Sequence, residues 1–224
     1  MTHNKTLKIK ATELRKLGMS FGKISLRTKV NRSTIVRWVK HIPISIEQQQ
    51  NNMTKQNKKR SQYCLNLRTQ YQLDGIQKAK ENNSLHLMGC MLYWGEGFKS
   101  RNACGLANTD PQMIKLFIKF LRECFNVKND KITMSINCYD NNGLTIEEIK
   151  TYWLEVTNLD RSCMRKTIVN RKPRSATGKP KNGKHPYGIC TIITCDTAIV
   201  QSIYGSLQEY AGLPKGFGLN INLD

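Results

Sequence analysis

The chain has 224 residues, a length that suits one large domain or two small ones, and either arrangement can bury a core. Lys and Arg number 36 against 16 Asp and Glu, and this formal net charge of +20 predicts a polyanionic partner. No run reaches the roughly 18 apolar residues of a membrane span, and the first residues lack the apolar stretch of a signal peptide. We therefore expect a soluble, cytoplasmic protein that works with nucleic acid.

The positive charge is concentrated in two regions. Residues 1–80 hold 18 basic and 3 acidic residues, whereas residues 81–160 are nearly neutral with 8 basic and 10 acidic. Residues 161–224 are basic again, and their segment 161–184 carries nine Lys or Arg and no acid. Interspersed Pro and Gly indicate an exposed basic loop or hairpin tip in that segment. Two basic regions predict that the polyanion is held in two places, although a solvated charge run is the simpler alternative.

The eight cysteines do not form the spacings of a zinc or disulfide framework, because no CxxC pair occurs. Six of them lie in apolar stretches and are interpreted as reduced core residues: Cys90, Cys104, Cys124, Cys138, Cys190 and Cys195.

Residues 1–44 show the pattern of three short helices. Leu7, Ala11, Leu14 and Leu17 recur at helical spacing, and Gly18 is suited to end that helix. Ser20 can cap a second helix that runs to about residue 29, and Asn31 or Ser33 can cap a third that ends before residue 43. We expect Ile35, Trp38 and Val39 to point inward from the third helix.

The string ELRKLGMSFGKISLRTKVNRSTIVRWVK resembles the helix-turn-helix domains of resolvase-like recombinases, over roughly residues 8–41. The outward face of the third helix carries residue types that contact bases and phosphates in DNA. These candidate DNA-binding residues are Arg32, Ser33, Thr34, Arg37 and Lys40.

Residues 45–83 are polar and basic, which indicates a partly helical linker between two domains. Lys58, Lys59 and Arg60 could track DNA phosphates along it. A purely flexible tether fits the same composition.

The segment 85–97 reads LHLMGCMLYWGEG, a nearly all-apolar helix that ends with Glu96 between two glycines. A carboxylate at the tip of a buried helix is costly unless it binds a cation or is hydrated. GCMLYWGEG resembles the nine-residue motif of the LAGLIDADG homing endonucleases, which places the metal-binding acid at Glu96. Met91 and Trp94 depart from the family pattern, whereas Gly95 keeps its small residue.

The elements that follow are consistent with the same resemblance, which covers residues 85–213. It implies an α+β domain at residues 84–213 with the order αββαββα and a saddle-shaped antiparallel sheet, followed by a tail at 214–224. One helix, at 145–157, is additional. The predicted elements are strands at 103–109, 132–139, 165–170 and 187–195, and helices at 111–125, 145–157 and 197–210. LYWGEG, ANTDP and HPYGIC, together with the helix-turn-helix, also resemble a group of LAGLIDADG-related proteins from bacteria and mobile genetic elements.

The family resemblance implies site-specific, Mg²⁺-dependent cleavage of double-stranded DNA, with Mn²⁺ as a substitute. Glu96 and Gly95 would hold the cation, and a homodimer would supply one Glu96 to each strand. Lys99 and Lys166 are candidates to orient water or stabilise the developing charge, and Lys166 is alternatively a phosphate anchor. Further DNA contacts are expected from Arg165, Arg171, Lys172, Arg174, Lys179, Lys181 and Lys184.

Two functional classes remain open. The first is the endonuclease, and the second is a transcription regulator that binds DNA on the same scaffold without cutting it. A serine recombinase fragment is a weaker third option, because no resolvase catalytic domain accompanies the helix-turn-helix. Asp110 is interpreted as a helix cap, and His86 and His185 as structural residues.

Overall fold

The structure is a computed structural model that describes residues 5–140, 143–170 and 185–219. The chain divides into two compact units, Met1–Leu65 and Asn66–Asp224, called here the N-terminal and C-terminal units. In the described residues the helices are α1 Lys5–Lys16, α2 Phe21–Thr28, α3 Arg32–Val39, α4 Ile46–Lys80, α5 Ser84–Glu96, α6 Pro111–Phe125, α7 Ile146–Thr157 and α8 Thr197–Ala211. The strands are β1 Cys104–Asn108, β2 Thr133–Cys138, β3 Ile168–Val169 and β4 Ile189–Thr194. Two single 3₁₀ turns lie at Asn129–Lys131 and Arg161–Cys163.

The N-terminal unit begins with three helices around a small apolar core. That core consists of Ala11, Leu14, Ile24, Val30, Ile35 and Val39. Gly18 follows α1 with a φ of +81°, and its backbone N–H donates to the carbonyl of Arg15 at 2.9 Å. Gly18 therefore turns the chain as predicted, but Leu17 is 71 % exposed and lies outside the core. Leu17 keeps the helical spacing in the sequence, but α1 ends at Lys16, so Leu17 lies one residue beyond the helix.

A three-residue turn joins α2 to α3. Lys29 takes the left-handed conformation with a φ of +56°, and the buried Val30 follows it into the core. Asn31 caps α3 by accepting a hydrogen bond from the backbone N–H of Ser33 at 3.0 Å. Trp38, which was expected to point inward, is only half-buried.

The expected linker is a single helix, α4, of 35 residues rather than a partly helical segment. The boundary between the two compact units falls inside it. Gln, Lys and Arg are good helix formers, so composition alone does not interrupt the helix. In the C-terminal unit Gln72, Gly75 and Ala79 are buried along one side of α4.

Helices α4 and α8 cross at two glycines in the C-terminal unit. A Cβ atom on Gly75 would lie 1.9 Å from the carbonyl oxygen of Ser202, and one on Gly205 would lie 2.0 Å from that of Gln72. The side chain of Gln72 donates to the side chain of Gln201 at 3.0 Å. The two helices can cross this closely because the glycines have no side chains. The buried side chains of Gln72 and Gln201 are hydrogen-bonded to each other there.

The sheet of the C-terminal unit has the order β1-β4-β2-β3. β4 pairs antiparallel with both β1 and β2, whereas β3 pairs parallel with β2. The fold class α+β is confirmed, but the expected antiparallel sheet is wrong because the sheet is mixed. The described strands also do not follow αββαββα: between α5 and α6 only β1 is formed, with an isolated bridge between Gly97 and Leu106 beside it.

One face of the sheet packs into the core, and the other stays open. In β2 the buried residues Met134, Ile136 and Cys138 alternate with half-buried Thr133, Ser135 and Asn137. β4 alternates in the same way, so the open face combines polar side chains with the apolar Ile189 and Ile193.

The predicted elements of this unit match the observed ones except at β3, which has two residues instead of six. In α6, Ile114 and Ile118 are buried, whereas Met113 and Leu116, expected inward, are half-buried. All eight cysteines are free, but Cys195 is exposed rather than a core residue. None of the helices in the described ranges combines the length and apolar character that a bilayer-spanning segment needs.

Candidate nucleic-acid interface and catalytic site

The outward face of α3 carries the charges that the sequence predicts. Arg32, Arg37 and Lys40 are exposed, and their side chains have no hydrogen bond or ion pair within the described part of the chain. The hydroxyl of Ser33 donates to the side chain of Asn31 at 2.8 Å and retains its acceptor lone pairs. Thr34 is half-buried beside them. Unpaired cations beside hydroxyl groups can contact phosphates and base edges.

Arg15 contributes to the positive charge but serves the fold. Its guanidinium donates to the carbonyls of Ile42 at 3.1 Å and Met19 at 3.2 Å, and it lies 4.2 Å from the ring centre of Phe21. Burial lowers the pKa of this arginine from its ordinary value. This charge is therefore not available to a ligand.

A second basic surface in the N-terminal unit lies between α2 and the start of α4. This pocket is lined by Ser20, Lys23, Asn52, Lys55, Gln56, Lys58 and Lys59. The side chain of Asn52 donates to the carbonyl of Gly18 at 3.1 Å and so fixes α4 beside α2. Lys58 and Lys59, predicted from the basic run, line this pocket, while Arg60 is exposed on α4 but is not among the lining residues. Lys23 and Lys55 join the group only through the packing of the helices.

Glu96 is the last residue of α5, and its side chain is exposed. The carboxylate avoids the cost of burial, since α5 leaves its C-terminal end open to solvent. Gly97 ends the helix by donating its N–H to the carbonyl of Tyr93 at 2.8 Å. The Glu96 side chain is therefore accessible from solvent.

Lys99 lies at the same helix end and is directed to the backbone. Its ammonium donates to the carbonyls of Tyr93 at 2.9 Å, Gly97 at 3.2 Å and Trp94. Burial lowers the pKa of Lys99, and the neighbouring Glu96 opposes that shift. A cation at the C-terminal carbonyls of a helix stabilises it. This arrangement assigns Lys99 to holding the helix end in position.

One face of α5 is apolar and exposed. It consists of Leu87, Met88, Met91, Trp94 and Gly95, and we call it the α5 stripe. These positions lie within one third of the helix circumference. Leu87 is 40 %, Met88 47 % and Trp94 39 % exposed, whereas Cys90 is fully buried, as predicted for a core cysteine. Cys90 instead joins the core of the C-terminal unit.

The glycines of α5 have different surroundings. A Cβ on Gly89 would lie 2.1 Å from the ring of Phe120, whereas one on Gly95 would have no atom within 4 Å. Gly95 therefore makes no close approach inside its own chain. The space above it is open to another molecule.

Arg165 and Lys166 lie at the β3 edge of the sheet, and both side chains are exposed. The backbone N–H of Arg165 donates to the carbonyl of Met134 at 2.7 Å, which ties this basic segment to β2. The remaining predicted contacts, Arg171, Lys172, Arg174, Lys179, Lys181 and Lys184, fall outside the described residues.

Sequence reasoning missed several candidate contacts. Thr133, Ser135, Asn137 and Thr191 share the open face of the sheet, and their hydroxyl and amide groups can read base edges. The alternation of polar and apolar residues in TMSINC was the available signal. Arg101, exposed a few residues after Glu96, carried no pattern that would have distinguished it.

Asp110 and His86 have the structural roles that the sequence predicts. The side chain of Asp110 caps α6 by accepting from the N–H of Gln112 at 2.7 Å. His86 is buried, and its Nδ1 lies 2.9 Å from the hydroxyl of Tyr210. Burial lowers the pKa of His86 from its ordinary value. His185 is exposed.

The donors near Glu96 suit a hard cation but are few. A carboxylate oxygen and backbone carbonyls are ligands that Mg²⁺ accepts, with water and phosphate oxygens at its other positions. Across the described ranges no group of three or more His, Cys, Asp or Glu could hold a metal ion.

Comparisons with models of protein families, with curated proteins and with solved structures gave no match to this chain.

Proposed function

We propose that the protein is a site-specific endonuclease of double-stranded DNA that acts as a homodimer with a divalent cation. The observation that carries this proposal is the α5 stripe, which reaches the helix end where Glu96 is exposed. An exposed apolar face of this kind marks an interaction surface. Paired stripes would bring two copies of Glu96 towards one another.

Gly95 determines where such a pair would be closest. Gly95 is the one position of the stripe without a side chain, so two α5 backbones could approach most closely there, with the ring of Trp94 beside the contact. A two-fold axis passing there puts both copies of Glu96 near the axis. This arrangement would provide one carboxylate for each DNA strand.

DNA binding would use both units. Arg32, Arg37 and Lys40 on α3 are free cations, and the lysine pocket beside α2 adds further charge. In the C-terminal unit the open sheet face offers Ser135 and Asn137 to base edges. The cations of these surfaces are part of the formal net charge of +20.

The proposed chemistry is hydrolysis of a phosphodiester. Water attacks the phosphorus, the bond to the leaving oxygen breaks, and that oxygen takes up a proton. Glu96 and the carbonyl of Gly95 would hold Mg²⁺ or Mn²⁺, which when bound lowers the pKa of water and offsets phosphate charge. Lys166 would hold another phosphate of the DNA backbone, and Lys99 would keep the end of α5 in place.

A non-cleaving regulator is the second candidate. It is favoured by the single carboxylate at the site and by the engagement of Lys99 with backbone carbonyls. Such a protein would use the same DNA-binding surfaces, and Glu96 would then serve as a helix-end acid.

The deciding experiment is a nicking and cleavage assay on a library of duplexes with Mg²⁺, Mn²⁺ or Ca²⁺. We expect Glu96→Gln to abolish cleavage and to keep DNA binding, because binding rests on Arg and Lys elsewhere. Ca²⁺ should support binding with little cutting. Glu155→Gln, at another exposed acid of the C-terminal unit, is the matched control and should cut like the parent. A parent protein that binds one site tightly but leaves both strands whole in Mg²⁺ and Mn²⁺ would establish the regulator.

A further inference from the structure

A basic pocket lies at the β3 edge of the sheet, between β3, α7 and the turn Arg161–Cys163. We call it the β3-edge pocket. It is separate from Glu96 in sequence and belongs entirely to the C-terminal unit. Its lining residues are Ile146, Lys150, Arg161, Met164, Arg165, Lys166, Thr167 and Val169.

Two of the four cations in this pocket are held by one acid. Glu147 accepts from the ammonium of Lys150 at 2.7 Å and pairs with the guanidinium of Arg161. The hydrogen bond from Lys150, and then that from Arg161, lowers the pKa of Glu147. Glu147 therefore stays ionised and holds Lys150 and Arg161 at the pocket. Each of these two cations keeps N–H donors that Glu147 does not use.

The other two cations have no partner. The side chains of Arg165 and Lys166 make no hydrogen bond or ion pair with any residue in the described ranges. Four cations against one acid leave an excess of positive charge at the pocket. A group with several negative oxygens is the ligand that such a set of donors suits.

Thr167 supplies an independent observation. Its Oγ1 is shielded from solvent and has no hydrogen-bond partner in the described structure. A buried hydroxyl without a partner carries a desolvation cost, and native proteins contain few of them. Thr167 lines the pocket, so a change of its χ1 rotamer would bring this hydroxyl to a ligand oxygen.

From this geometry we propose that the β3-edge pocket binds a phosphate group of the DNA backbone, with Arg165, Lys166 and Thr167 as its direct contacts. This inference rests on the proposed DNA binding and identifies one place where the backbone is held. It also assigns Lys166 to phosphate binding away from the reacting atoms. A free phosphate ion has the same chemistry, so the test includes both sources.

The first test uses Thr167→Val in the full chain, because valine keeps the shape and removes the hydroxyl. Without a ligand, the thermal midpoint should equal or exceed that of the parent, since an unpartnered buried hydroxyl has been lost. Phosphate and DNA affinity should fall about tenfold, the usual effect of losing a hydrogen bond to a charged group. A purely structural role of Thr167 would change the midpoint without changing either affinity.

The second test compares Arg165→Gln/Lys166→Gln with Lys115→Gln/Lys119→Gln. Both double variants lose two positive charges from the C-terminal unit, but Lys115 and Lys119 lie on the exposed side of α6. The probe is a long mixed-sequence duplex, titrated at several salt concentrations. Losing one phosphate contact should lower the slope of log K against log salt by about 0.9, and hence weaken binding about eightfold at 0.1 M salt relative to the control pair.

A parallel arm measures protection of the parent and variants from thermal unfolding by inorganic phosphate, against chloride at equal ionic strength. Loss of DNA affinity in the pocket variants but not in the control pair supports binding of a backbone phosphate. Loss of phosphate protection with unchanged DNA affinity supports phosphate binding but overturns DNA as its source. If Thr167→Val and Arg165→Gln/Lys166→Gln both match the control pair in DNA affinity and in phosphate protection, the pocket proposal is overturned and DNA binding stands. A parent that binds no duplex overturns the proposed function, and the phosphate arm still decides the pocket.

Discussion

Replacing the two glycines of α5 by alanine should have opposite effects on stability. A methyl group added at Gly89 would lie 2.1 Å from the ring of the fully buried Phe120, whereas one added at Gly95 would meet no atom within 4 Å. Neither glycine has a positive φ, so alanine fits the backbone at both. The two substitutions therefore differ only in the space around the added methyl group.

The magnitudes follow from these surroundings. Gly95→Ala should raise the free energy of unfolding by about 0.5–1 kcal/mol, because alanine loses less conformational entropy in a helix. Gly89→Ala gains the same term but must displace Phe120, whose ring packs edge-on against Phe125 with centroids 5.2 Å apart. Overpacking of this kind costs about 1–3 kcal/mol, and more where the neighbour cannot move, so the net effect should be destabilising.

Gly95→Ala should stabilise the single chain but weaken its dimer. If two α5 stripes pack closest there, a methyl group on each chain separates the helices and weakens the dimer and DNA cleavage. Urea unfolding of the isolated chain measures the first effect, and sedimentation with and without duplex DNA measures the second. We expect Gly95→Ala to be more stable than the parent as a monomer and less dimeric at equal concentration.

Two results would refute this reasoning. If Gly95→Ala lowers the stability of the monomer, the space above Gly95 is not open. If it leaves dimerisation and cleavage unchanged, the stripe does not pack at Gly95, and the symmetric site built on two copies of Glu96 falls with it.

Three further predictions concern charge. DNA affinity should fall steeply with salt. Arg37→Ala should cost about 1–3 kcal/mol of DNA-binding free energy and weaken the preference for one sequence. A titration in which Arg37→Ala changes neither affinity nor preference would exclude α3 as the helix that reads the bases. Arg15→Met should lower the stability of the N-terminal unit by about 2–3 kcal/mol, because the carbonyls of Met19 and Ile42 lose a charged donor; chemical unfolding measures it, and an unchanged midpoint would contradict that role. Glu147 has a folded-state pKa below its unfolded value, so its stabilisation is present above the ordinary glutamate range and is lost as pH falls through the folded pKa. Glu147→Gln should therefore flatten the acid limb of the stability profile, and an unchanged limb would contradict the pairing.

The sequence by itself determined the local elements of the C-terminal unit. Asp110 before a proline and a strongly amphipathic run predicted α6, and Thr145 with Glu148 forms a capping box at the start of α7. These signals act between residues a few positions apart, so they do not depend on the rest of the fold. The outward charges of α3 were predictable for the same reason.

Tertiary structure alone decided the sheet and the continuous helix. β3 is short and parallel to β2 because residues distant in sequence set its pairing, and no local pattern encodes that partner. The glycine crossing of α4 and α8 likewise joins Gly75 to residues more than a hundred positions away. A polar composition that predicted a linker could not reveal that contact.

The candidate site shows the same division. Residue type and position placed Glu96 at a helix end, but its exposure and the binding of Lys99 to backbone carbonyls depend on how α5 packs. The apolar surroundings of Cys90 predicted its place in the core, because that signal is local. The sequence determined which charges and hydroxyl groups are available, because these are properties of single residues. Packing decided which of them are paired, buried or left open to solvent, because burial and pairing depend on contacts between distant parts of the chain.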